Sequence, residues 1–310
     1  MKGELARARA VLFSLSLLSC LIAWGGAWLT AISIETDVIV FILAIAGAGG
    51  LTWCYTRYRN MLLFQRIVEN ILSLLIVTMP LVIISYVALR AGFPLTDKYL
   101  IALDAKLGFD GAGFIRFVES QPVLASVLLA AYQAIAPQLS LIPVVLLCLH
   151  HPLRAYRFIS AYIIMVLICC AVAVSFPAEG AYTAYGFSPG DFSNLNPYFA
   201  FVYLDQLYKV LHDSSIVFTF RGAIGILTFP SVHAGVAALC IWGIWPIRQL
   251  RYWVLGLNLL MMVSTFSHAS HYIVDVFAGV ALALLSLVIL RPLENIFSTC
   301  GFRDAKSGTS

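Results

Sequence analysis

The chain has 310 residues, of which 61% are hydrophobic and only 11% charged, with a formal net charge of +4. So apolar a composition excludes an ordinary soluble domain, and the positive balance, spread without a dense basic stripe, excludes nucleic acid as a partner and fits anchoring at an anionic membrane surface. The apolar residues come in blocks of about twenty, the length that crosses a hydrocarbon core as an α-helix, whereas a membrane barrel would alternate with period two.

The expected fold class is therefore all-α, a multi-pass transmembrane helical bundle. Eight spans are read in chain order: Val11 to Ile32, Val38 to Cys54, Ile67 to Leu89, Val123 to Leu149, Phe158 to Val174, Ala234 to Trp245, Trp253 to Phe266 and Tyr272 to Leu290. The basic start and the small-residue stretch "AWGGA" of the first also suit a cleaved signal, but the apolar run continues past it without a convincing cleavage site. The sixth is the shortest, with Pro246 as its stop. Placing the N-terminus inside puts 13 of the 19 basic residues on inner segments, among them Arg57, Arg59, Arg66, Arg154 and Arg157. Cytoplasmic loops collect Lys and Arg, so both termini are expected in the cytoplasm of a bacterial-type inner (plasma) membrane. Seven scattered cysteines show no metal-ligand spacing and read as packing residues.

Two long segments then fall on the outer side, facing periplasm or lumen. Ala91 to Pro122 carries Leu100, Leu103 and Leu107 at helical spacing with Asp97, Lys98, Asp104 and Lys106 between them. That suggests a helix in the membrane interface, either capping the bundle or touching substrate. Ser175 to Ser231, rich in Tyr, Phe, Pro and Gly, reads as a partly helical lid. The organisation expected is an N-terminal transmembrane unit at 1–90, a catalytic membrane domain at 91–295 and a polar cytoplasmic tail at 296–310.

Ionisable residues inside a membrane are expensive and tend to be functional. Asp275 lies four residues after His271 in "SHASHYIVDVFAG", on one helix face. The carboxylate can hold the proton of one imidazole nitrogen and leave the other as a lone pair, which makes His271 a base or a nucleophile. "TFPSVHAGVAAL" opens the sixth span, with Pro230 suited to a first helical turn, Ser231 to a cap and His233 one turn in. Chain reversal at Arg248 to Arg251 brings both clusters to the same membrane depth. The N-termini of the sixth and eighth helices offer unpaired amides to an anion, and Arg221 adds a cation on the same side. The implied chemistry is phosphoryl transfer at the outer leaflet. His150, His151 and His212 read as interfacial residues and His268 as a bystander before the last helix. A zinc site from His233, His268, His271 and Asp275 is the competing reading. No metal is expected, because His268 precedes the helix start and no acidic cluster lies near.

"FPSVHAG" and "HYIVDVFAG" resemble the second and third signature motifs of the type 2 phosphatidic acid phosphatase (PAP2) superfamily, over roughly Ser175 to Leu290. The resemblance implies a PAP2-type core, a phospholipid or isoprenoid (polyprenyl) phosphate substrate among membrane lipids, and no cofactor. It also implies roles: His271 attacks phosphorus to form a phosphohistidine, Asp275 orients it, His233 protonates the departing alcohol, and Ser231 hydrogen-bonds a phosphoryl oxygen. Two features depart from the family pattern. Ser264 and Thr265 stand where the third motif carries Ser-Arg, and the first motif, a lysine followed by Arg-Pro, is missing. That pattern is closer to the branch resembling inositol phosphorylceramide and sphingomyelin synthases. Arg221, or more weakly Lys209, is the candidate to replace the missing arginines. A phosphatase, a headgroup transferase and a non-catalytic phospholipid-binding or transport protein all stay open.

Overall fold

Amides surrounded by hydrocarbon are satisfied only within their own segment, and the long apolar runs accordingly form helices. The computed structural model describes residues 2–196, 198–220 and 222–299. Among them the chain forms α1 (Lys2–Leu29), α2 (Thr36–Tyr58), α3 (Leu62–Leu89), α4 (Asp97–Lys106), α5 (Gly111–Glu119), α6 (Pro122–Gln133) and α7 (Ile135–Cys148). It continues with α8 (Pro152–Ser175), α9 (Ala181–Ala184), α10 (Tyr198–His212), α11 (Val232–Ile244), α12 (Arg251–His268) and α13 (Ile273–Thr299). Most of the polar tail lies outside the described residues, as does Arg221.

Five helices are long and apolar enough to cross a membrane: α1, α2, α3, α8 and α13. They correspond to the first, second, third, fifth and eighth expected spans. The other three of the eight do not meet that standard. The Val123 to Leu149 run is divided between α6 and α7 at Ala134. The 13 residues of α11 reach only about 20 Å at 1.5 Å per residue, short of a hydrocarbon core about 30 Å thick. α12 carries Asn258, Ser264, Thr265, Ser267 and His268 within its 18 residues. A sixth crossing arises only if α5 and α6, bent by 110°, are one broken span.

The helices pack in two connected groups. α1 lies against α3 and α8, with α2 on the outer side of α3; α11 lies against α7, α8, α12 and α13, with α6 against α12. Buried apolar side chains from both groups, including Leu12, Val77, Ile84, Phe158, Ile163, Val236, Cys240 and Met261, form one core. α11 and α13 cross at two glycines, one from each motif. A Cβ on Gly279 would lie 2.1 Å from the Ser231 carbonyl, and one on Gly235 would lie 2.3 Å from Met165 Sδ and 3.0 Å from the Gly279 carbonyl. Only a bare backbone permits that approach.

Polar ties join the segments. Ile32–Ile34 (β1) and Ile216–Phe218 (β2) form a two-stranded parallel ladder with Ile32 opposite Ile216, fastening the α1–α2 connection to the segment after α10. Arg90 donates to the carbonyls of Thr30 (3.2 Å), Val210 (2.9 Å), Ser214 (2.6 Å) and Asp213. Toward the other end, buried Glu69 accepts from Arg9 (2.5 Å), Trp53 (2.7 Å), Gln65 (3.0 Å) and Tyr156. A buried carboxylate is tolerable only with such a set of donors.

Candidate functional site

His271 and Asp275 sit where α12 hands over to α13. The chain leaves α12 through Ser270, whose φ of 59° is left-handed, and the His271 amide returns to the Thr265 carbonyl at 3.2 Å. This tight reversal presents the imidazole beside the first turn of α13. His271 Nδ1 lies 3.0 Å from Asp275 Oδ2, and the same oxygen accepts the Tyr272 amide at 2.9 Å. Both side chains are buried, at 5% and 0% exposure. With the proton on Nδ1 donated to the carboxylate, Nε2 keeps its lone pair. Burial pushes the His271 pKa below its ordinary 6.5, partly offset by a hydrogen bond with the Thr228 backbone, so the ring is neutral at pH 7.

The sixth-span motif comes to the same place. Ser231 caps α11, its hydroxyl accepting the Ala234 amide at 3.3 Å, and its own amide donates to the Asp275 carbonyl at 3.1 Å. Pro230 therefore precedes the cap instead of occupying the first turn, as α11 begins at Val232. His233 and His271 line one cavity of about 170 Å³ between α3, α6, α8 and α11. Hydroxyls from Thr78, Ser85, Tyr132, Tyr162, Tyr203 and Thr228 face it amid aliphatic walls. No Lys or Arg lines it among the described residues. α3, which belongs to the N-terminal stretch, thus forms one wall.

Of the two helix N-termini, that of α13 departs from the sequence-based expectation of unpaired amides. Buried Asp104 on α4 accepts the Ile273 amide at 2.9 Å and the Val274 amide at 3.2 Å, so the first turn of α13 is already occupied by a carboxylate. Burial raises the Asp104 pKa, and these two amides lower it again. Asp97, one heptad earlier on the same helix face, accepts the Tyr272 hydroxyl at 2.8 Å and the amides of Glu179 and Gly180 at 3.0 and 2.8 Å. The inward stripe of α4 is thus half-buried Asp97 with buried Leu100 and Asp104, while Leu103 and Leu107 are exposed. At α11 the Val232 and His233 amides make no hydrogen bond among the described residues.

The Ser175 to Ser231 segment folds over this reversal. Ser270 accepts the Ala181 amide on its carbonyl (2.7 Å) and the Tyr182 amide on its hydroxyl (2.8 Å), while the Tyr182 hydroxyl donates to the Ser267 carbonyl at 2.6 Å. Gly180, at φ 104°, lets the chain pass, since a Cβ there would meet Tyr203 and Ser270 within 2.7 Å. Tyr182, Phe187, Phe192 and Phe201 stack into an aromatic cluster above.

His233, His271, Asp275 and Ser231 are brought together. Arg221 lies outside the described residues, and Lys209 is exposed and paired with Asp205 at 2.5 Å. Ser264 and Thr265 are buried in α12, their hydroxyls turned back to the carbonyls of Met261 and Met262. His268 is no interfacial bystander: α12 extends through it and buries it to 1% exposure, Nδ1 lying 2.9 Å from the Ser267 hydroxyl. Among the described residues no group of three or more His, Cys, Asp or Glu is placed to hold a metal ion. Tyr132 was not foreseen. Its ring stacks on His233 with centroids 4.4 Å apart and planes 14° apart, and approaches His268 at 6.4 Å. Its sequence context, an apolar run, carries no signal for that role. For Asp97 and Asp104 a signal existed, two carboxylates seven residues apart on one helix face.

Comparison with protein-family models matches residues 98–289 to the PAP2 superfamily. No curated protein and no solved structure matched the chain. The match spans more than half of the chain and takes in both histidine motifs, α4 and the aromatic segment. The chain belongs to the PAP2 superfamily, whose members are generally phosphatases or phosphotransferases.

Proposed function

We propose that the protein is an integral membrane phosphatase or phosphotransferase that acts on a phospholipid or polyprenyl phosphate at the outer face through a phosphohistidine. The observation that carries this reading is the His271–Asp275 pair, 3.0 Å apart, opening with His233 onto a single cavity. In the first step His271 Nε2 bonds to phosphorus as the P–O bond to the lipid alcohol breaks, and His233 gives that oxygen its proton. Asp275 stabilises the positive charge gained by the ring. In the second step an oxygen nucleophile attacks phosphorus, the P–N bond breaks, and His233 recovers a proton. The Ser231 hydroxyl and the open amides of α11 hold phosphoryl oxygens, with Arg221 as the proposed cation. No metal or cofactor enters this scheme. Residues 91–295 form the catalytic unit, 1–90 an N-terminal transmembrane unit, and both termini lie in the cytoplasm.

A second reading, headgroup transfer to another lipid alcohol, is favoured by the aromatic cluster over Ser267 and Ser270. Such a cover keeps water from the phosphohistidine. Purified protein offered labelled phospholipids tests both. Release or transfer of phosphate should survive a chelator, stop with vanadate, and fall roughly 10⁴-fold or more in His271→Ala. Retained lipid binding without turnover would overturn the enzymatic reading in favour of a binding or transport protein. Thin-layer analysis of the products separates hydrolysis from transfer.

A further inference from the structure

The far end of the bundle holds a second cavity, about 450 Å³, lined by Arg66, His150, His151, Arg154, Arg157 and Trp242. It shares α3, α8 and α11 with the His271 cavity but not its location. At 1.5 Å per residue, about 13 Å of α11 separates His233 from Trp242, and about 18 Å of α3 separates Thr78 from Arg66.

Its cations are only partly matched. Arg157 is neutralised by a bidentate pair with Glu294, at 2.8 and 2.6 Å. Arg154 is held by neutral carbonyls at the end of α11, Nε donating to Gly243 at 2.9 Å and Nη2 to Trp242, with its guanidinium 4.1 Å from the Trp242 ring. Arg66 has no ion-pair partner among the described residues. Glu4 is the one carboxylate in the lining, so Arg66 and Arg154 together leave an excess of one positive charge around the hollow. A general excess of inner-side Lys and Arg explains charge near the membrane. It does not explain why three arginines and two histidines from α3, the α7–α8 connection and the first turns of α8 converge on one hollow with an indole wall. Guanidinium donors beside an apolar wall suit a phosphate ester with a hydrocarbon attached.

We propose that this cavity binds a phosphate-bearing anion, with the headgroup of an anionic phospholipid in the adjacent leaflet as the source that the apolar wall favours. The site is separate from the reacting cavity and does not depend on turnover there. Full-length protein in phosphatidylcholine nanodiscs, titrated with a fluorescent short-chain phosphatidylglycerol, tests it. Arg66→Gln should weaken binding roughly fivefold, the equivalent of about 1 kcal/mol for one arginine at a membrane surface. Arg66→Lys should keep most of it, and a matched phosphatidylcholine probe should bind far more weakly. Inorganic phosphate that displaces the probe marks free phosphate as a ligand too, and phosphate that fails to do so marks the lipid headgroup. Equal affinity for the two probes, or an unchanged affinity in Arg66→Gln, overturns the proposal. A salt titration of the unsubstituted protein judges it independently of any variant, since binding that ignores ionic strength contradicts it.

Discussion

The N-termini of α11 and α13 stand side by side, tied by the hydrogen bond from the Ser231 amide to the Asp275 carbonyl, yet they are finished in opposite ways. α13 is closed: Asp275 and Asp104 occupy the Tyr272, Ile273 and Val274 amides. α11 is open: Val232 and His233 line the cavity, and their amides have no protein partner among the described residues. A helix N-terminus attracts anions in either case. At α13 the anion is built into the protein beside His271, whereas the α11 end is where the proposed function puts a phosphoryl group. The lesson is that an anion-binding terminus is defined by what the rest of the fold has already placed there.

Ser231→Ala strikes the open end and should have the larger effect, lowering kcat/KM by about tenfold to a hundredfold through loss of one phosphoryl donor. Steady-state kinetics would show it, beside the roughly 1 kcal/mol of stability that loss of the α11 cap costs, and an undiminished kcat/KM would remove Ser231 from the phosphate site. Asp104→Asn strikes the closed end. It should cost about 1–2 kcal/mol of stability, as loss of a charged cap does, with a fall in kcat and little change in vanadate affinity. Tighter vanadate binding in this variant would mean that α13, too, is an anion site, and the contrast would collapse. Tyr132→Ala tests the wall beside α11. Losing a stacked ring costs about 0.5–1.5 kcal/mol, so a threefold to tenfold drop in kcat is expected, with Tyr132→Phe close to wild type because the ring remains.

Much of this was legible in the sequence. Five of the eight apolar runs became helices long enough to cross a membrane, and the spacing of four between His271 and Asp275 marked the pair before any coordinates. The break between α6 and α7 was written there too, since Pro137 in the first turn of α7 suits a helix start better than the middle of a span. Contacts between distant segments were not legible. Asp104 meets Ile273 across a separation of 169 residues, and nothing in either local pattern names the other. The extent of α12 was missed for a related reason: the apolar run ends at Phe266, and the burial that carries the helix on to His268 comes from neighbouring segments.

The glycine crossing of α11 and α13 carries one more consequence. With Gly279 pressed against the Ser231 carbonyl and Gly235 against the Gly279 carbonyl, the two helices interlock like meshed gear teeth and have no free travel along each other. The residues proposed as nucleophile, acid and phosphate cradle are therefore held as one rigid unit. Any opening onto the cavity must then come from its remaining walls, α3, α6, α8 and the segment carrying Tyr203, with the motif helices as the fixed frame.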